Sequence, residues 1–170
     1  MINAGDRRGS IKAIPVNREG LMAEFKTAFN HDAIVTLSAF ANTVGGTVYV
    51  GVADDGRVTG VNLSSNSMEI WTNEIKQKTE PSIIPDVDRV LVDGKTVVML
   101  SVKEFPVKPV AVQGRYHKRI SGSNHLLSVS EISDLFMQSI QESWDAYPHR
   151  GARVQQLDTG RIKEFIRKVN

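Results

Sequence analysis

The 170-residue sequence contains no cysteine. That excludes a disulfide framework, a thiol nucleophile and any zinc site built on sulfur. It also lacks any apolar run near the roughly 18 residues that a membrane helix needs. The segment from Met1 to Lys12 has no apolar stretch of the kind that marks a signal peptide. These absences predict a soluble, cytoplasmic protein. Net charge is also scarce, only +2 at pH 7, so global charge says little about a polyanionic partner. What remains is ordinary for a globular chain: 41% hydrophobic and 24% charged residues. The length suits one domain with a short appendage.

The distribution of charge says more than its sum. From Phe105 to Ser130 there are four basic residues, Lys108, Arg115, Lys118 and Arg119, and no acidic one. A local stripe of this kind binds phosphates even on a nearly neutral protein. His117 and His125 lie in the same stretch and add charge as pH falls.

Periodicity gives the elements. Residues 1–17 form a polar leader without a period. Met22 to Phe25 reads as a short strand. Asn30 or Asp32 caps a helix whose apolar stripe is Ile34, Leu37, Ala41 and Val44, and Gly45-Gly46 ends it. Thr47 to Val52 is a buried strand, Asp54-Asp55-Gly56 a tight turn, and Arg57 to Val61 the return strand. Met68, Trp71 and Ile75 mark a second helix. Val87 to Val92 and Thr96 to Val102 form a hairpin about Asp93-Gly94, and Val110 to Val112 and Tyr116 to Ile120 are two further strands. Ser128 and Glu131 form a capping box for a helix with Ile132, Leu135, Phe136 and Ile140 on its apolar face. Residues 18–143 therefore read as an α+β domain, with a mostly antiparallel or mixed sheet and helices packed on it. Residues 144–170 read as a linker and helical tail leading toward a further C-terminal region.

The run from Ser38 to Gly60, with Asn42, Gly45-Gly46, Gly51-Val52 and Asp54-Asp55-Gly56, is the most specific stretch. Together with Glu24-Phe25-Lys26 and the later Arg119 and Ser121-Gly122-Ser123-Asn124, it resembles the AlbA_2 domain of Schlafen proteins and of bacterial transcriptional regulators. The resemblance covers roughly Glu19 to Phe136. It implies a nucleic-acid-binding module, with DNA or RNA as partner, set at the N-terminal side of other domains. It also implies, for the nuclease members, three carboxylates that hold Mg²⁺ or Mn²⁺ for RNA cleavage. Their counterparts by motif position are Glu19, Glu24 and Asp54, with Lys26 beside them as a phosphate partner.

Each of these residues also has a plainer reading. Glu24 and Lys26 alternate with Phe25, so both can face solvent while Phe25 packs. Asp54 is a residue that turns favour. Strand alternation puts Arg115, His117 and Arg119 on one face, opposite Tyr116, Lys118 and Ile120. That pattern suits phosphate binding, with Ser121, Ser123 and Asn124 adding polar groups. It equally suits a solvated edge strand protected by its charges. Three expectations for function follow: a non-catalytic nucleic-acid-binding domain, a metal-dependent endoribonuclease, or an architectural domain that forms a homodimer. Other chemistries fall away. Gly94-Lys95-Thr96 lacks the first glycine of a P-loop, where Arg89 stands. Gly45-Gly46 precedes a strand rather than a helix, unlike a dinucleotide fingerprint. His31, His117, His125 and His149 lack metal-ligand spacing.

Overall fold

The computed structural model describes residues 19–139 and 158–169. Residues 19–139 belong to one compact unit and 158–169 to a second. The polar leader, the 144–156 linker, and Ile140 of the expected third-helix face lie outside the described residues.

The first unit is α+β, as its hairpins and helical stripes predict. Its elements in chain order are β1 (Ala23–Lys26), α1 (His31–Ala41), β2 (Gly46–Val50), α2 (Ser67–Lys78), β3 (Thr79–Glu80), β4 (Asp86–Val92), β5 (Lys95–Val102), β6 (Ala111–Val112), β7 (Arg115–Ile120), β8 (Ser123–Leu126) and α3 (Val129–Ser139). The second unit contributes α4 (Thr159–Val169).

The strands form two sheets of four, in the orders β1-β2-β5-β4 and β3-β6-β7-β8. β1 and β2 pair in parallel, with Glu24 opposite Val48 and Lys26 opposite Val50. Every other pairing between these strands is antiparallel. A parallel pair needs a crossover, and α1 supplies it.

α1 lies between the two sheets, packed on β2 and β5 on one side and on β6, β7 and β8 on the other. A helix covered on both sides must be apolar nearly all round, and Ala33, Ile34, Leu37, Phe40 and Ala41 are fully buried. Its buried polar residues are each paired with the second sheet. Ser38 Oγ donates to the Val110 carbonyl at 2.9 Å. Asn42 Nδ2 donates to the carbonyls of Val110 and His117, both at 2.8 Å, while its Oδ1 accepts from the Val110 amide. Burying such groups unpaired would cost about 1–3 kcal/mol each. The Ser38 to Asn42 signature is thus the seam between helix and second sheet. A smaller cluster of Phe25, Val52 and Val97 covers the opposite face of the first sheet.

Asn30 caps α1 as expected, its Oδ1 accepting from the Ala33 amide at 3.1 Å. The helix ends earlier than the apolar stripe implies, at Ala41 with Asn42 as C-cap, and Val44 is exposed. Gly45 takes φ +79, and a Cβ there would meet the Val102 carbonyl at 2.7 Å. The glycine pair therefore serves close approach to β5 as much as helix termination. The expected return strand over Arg57–Val61 does not form. Only a single bridge joins Val52 and Val58. The segment instead crosses Gly51, where the Gly60 backbone lies 3.2 Å from the position of a Cβ. β3 and β8 leave no mark in the sequence pattern, because two- and four-residue strands carry too few positions for alternation to show.

Candidate nucleic-acid interface

One face of β7 carries Arg115, His117 and Arg119, as strand alternation predicts, and that face looks onto α1. Arg119 lies toward the helix end, its amide donating to Thr43 Oγ1 at 2.9 Å and its guanidinium 5.1 Å from the Phe40 ring centroid. Arg115 and His117 lie toward the helix start, beside His31 and Asp32. The two ends of this face have opposite fates.

Arg119 is buried, 3% exposed, and fully engaged by protein. Its Nη2 forms an ion pair with Glu24 Oε2, its Nη1 donates to Asn124 Oδ1 at 2.8 Å, and its Nε donates to the Gly20 carbonyl at 3.1 Å. Asn124 Nδ2 in turn donates to Thr36 Oγ1 at 2.8 Å. The network joins β1, α1, β7 and β8. Two residues read from sequence as ligand contacts, the buried Arg119 and the half-buried Asn124, are thus bonded to the protein itself.

Glu24 does not face solvent. It shares a face with Lys26, as alternation requires, but that face turns inward and leaves Glu24 only 7% exposed. Its Oε1 accepts from Lys26 Nζ at 2.6 Å while Oε2 meets Arg119. Glu19 Oε1 accepts from the Phe25 amide at 3.2 Å. Asp54 is exposed in the turn after β2. Among the described residues no group of three or more His, Asp or Glu is arranged to hold a metal ion. The carboxylate set implied by the resemblance therefore does not fit a divalent cation, because both oxygens of Glu24 are already held by cationic side chains.

The remaining basic residues divide similarly. Lys108 pairs with Glu104. Lys118, on the outer face of β7, pairs with Glu131 of α3. Glu131 also accepts from the Ser128 amide at 2.9 Å, completing the expected capping box. Its hydrogen bond from Lys118, followed by those from Ser128, lowers its pKa from 4.5 to about 2. Ser121 and Ser123 are exposed at the β7–β8 turn, where Ser121 takes φ +58.

Arg115 is exposed. It lines a pocket of about 570 Å³ together with His31, Asp32, Val35, Val112, Gln113 and His117. His117 Nδ1 is buried and has no hydrogen-bond partner among the described residues. Burial, then the charges of Arg115 and His31, push the His117 pKa below the ordinary imidazole value. Its backbone is fixed by the Asn42 amide, so the ring position is set by the same seam that holds the fold. Sequence reasoning missed this pocket. His31 and His117 are far apart in the chain, and only the crossing of α1 over β7 brings them together.

A mixed α+β domain with a helix between two sheets is the class these features define. The sequence matches the family described as Schlafen, AlbA_2 over residues 19–128. The chain belongs to that family. Among solved structures it is similar to the DIP2311 protein from Corynebacterium diphtheriae, with 20% identity and a TM-score of 0.56. That match covers 68% of this chain and 23% of the other, so it speaks for the fold alone. No curated protein matches the sequence.

Proposed function

We propose that this domain binds nucleic acid, with DNA as its ligand, as the N-terminal part of a transcriptional regulator. Contacts to phosphates supply the affinity, and the domain works without metal-dependent cleavage. The observation that carries this reading is the position of Arg115. It is the exposed cation of the acid-free stretch, and it stands at the mouth of a concave site. Ser121 and Ser123 offer exposed hydroxyls at the other end of β7. Arg119 and Asn124 serve by holding β7 and β8 in place, and Lys26, Lys108 and Lys118 contribute charge from within ion pairs. The endoribonuclease reading has less support, because Glu24 is committed to Arg119 and Lys26.

Fluorescence anisotropy with labelled duplex and single-stranded oligonucleotides tests the proposal. Affinity is expected to fall steeply as salt rises from about 50 to about 200 mM, as displaced counterions require. Absence of binding to any strand at the lowest salt would overturn it.

A further inference from the structure

We infer that the pocket between the start of α1 and the β6–β7 hairpin is a subsite for the phosphate monoester of a nucleotide, gated by protonation of His117. For its natural ligand this rests on the nucleic-acid-binding reading. Its chemistry stands on the pocket itself.

The donors are of the right kind and number. Arg115 presents a fork of N–H groups suited to phosphate oxygens. His31 and His117 add imidazole N–H groups, of which His117 can offer only Nε2 because its Nδ1 is buried. A terminal phosphate has three free oxygens for this set, whereas a backbone diester has two. The shape also favours an end group or a single nucleotide. The volume of about 570 Å³ lies within the range of small-molecule sites, and a half-open hollow of that size suits one nucleotide better than a continuous strand. Val35 and Val112 supply an apolar wall for a sugar or base. The site lies at the N-terminal end of α1, where the helix dipole favours negative charge.

The charge balance gives the gate. From α1 the groups facing His117 are His31 and Asp32, and from β7 the flanking charge is Arg115. β6 and its turn bring Val112 and Gln113, and β8 places Leu126 opposite His117. With His117 neutral, Asp32 offsets Arg115. Protonation of His117 makes the pocket positive. A bound phosphate stabilises the protonated His117 ring, so phosphate binding and proton uptake promote one another. The depressed His117 pKa means that the ring is neutral until a ligand or lower pH charges it.

The test is an NMR titration of the imidazole C–H signals with a nucleoside monophosphate, with the parent nucleoside as control. In parallel, anisotropy compares oligonucleotides with and without a terminal phosphate, in 5′ and 3′ arms. The monophosphate is expected to shift the His31 and His117 signals and raise the His117 titration midpoint by about one pH unit. The nucleoside should do neither. Arg115→Gln should weaken monophosphate binding about tenfold, the loss expected for one charge-assisted contact. His117→Gln should remove the protein's share of the pH dependence and leave that of the phosphate's own second ionisation, at about pH 6. Because Arg115 is exposed, its variant keeps the test interpretable if the His117 variant unfolds. A strand bound more tightly for its terminal phosphate identifies that end as the source. A monophosphate that binds without such a preference identifies the free nucleotide. If strands bind with both imidazoles silent to the monophosphate, the inference fails and the proposed function survives. If the monophosphate binds and no strand does, the proposed function fails and the subsite survives. If neither binds, both fail.

Discussion

Arg119 and Arg115 stand on the same face of the same strand, yet one is a structural cation and the other a solvent-facing one. The difference lies in what the fold sets opposite each. Arg119 meets Glu24 from β1, the Gly20 carbonyl and Asn124, and is excluded from water. Arg115 meets the open start of α1, where two imidazoles and one carboxylate share a pocket. Strand alternation assigns a face, but the partner across that face decides whether a charge builds the protein or meets a ligand.

The sharpest way to break this comparison is to remove the buried partner. Glu24→Ala leaves the Arg119 charge enclosed, and loss of one member of a buried pair typically costs about 3–5 kcal/mol. The cost here should sit near the lower end, at about 3 kcal/mol, because Gly20 and Asn124 still accept from the guanidinium. Urea denaturation would read this as a lowered midpoint at unchanged slope. Asn42→Ala comes next and touches both regions. It strips the Val110 amide of its acceptor and removes the Asn42 donor from the carbonyls of Val110 and His117, although the Val110 carbonyl keeps Ser38 Oγ. A loss of about 2–3 kcal/mol follows from the unsatisfied groups, and hydrogen exchange at the Val110 amide should quicken.

Arg115→Ala should behave in the opposite way. Its exposure predicts a change in stability within about 0.5 kcal/mol. Oligonucleotide affinity should fall about tenfold, with a salt slope smaller by about one. The smallest effect belongs to Glu131. Its folded pKa is depressed, so its contribution is present above pH 4.5 and is lost as pH falls toward about 2. The start of α3 should fray across that window, visible as faster exchange at the Ser128 amide. Lys118→Met should move the window upward, toward 4.5.

Much of the architecture is legible in the sequence, because long elements carry many periodic positions. The β4–β5 hairpin about Asp93-Gly94, the Asn30 cap and the Ser128–Glu131 box follow from local chemistry alone. The division into two sheets does not. It depends on β3 and β8, too short to announce themselves, and on the all-round burial of α1, which resembles a one-sided stripe when read as a period. The site is less legible still. Glu24 and Arg119 each carry the marks of a ligand contact, and nothing local says that they satisfy one another. His31 is a lone histidine at a helix start until β7 crosses beside it.

The most direct test of the split between the two ends of β7 is the oligonucleotide dissociation constant at low salt for Glu24→Gln and Arg115→Gln, measured side by side on folded protein. Glu24→Gln keeps hydrogen-bonding groups inside the network and is expected to bind within about twofold of wild type, while Arg115→Gln binds about tenfold more weakly. The reverse order, with Glu24→Gln abolishing binding and Arg115→Gln leaving it intact, would contradict the account and return the buried carboxylate to the functional site.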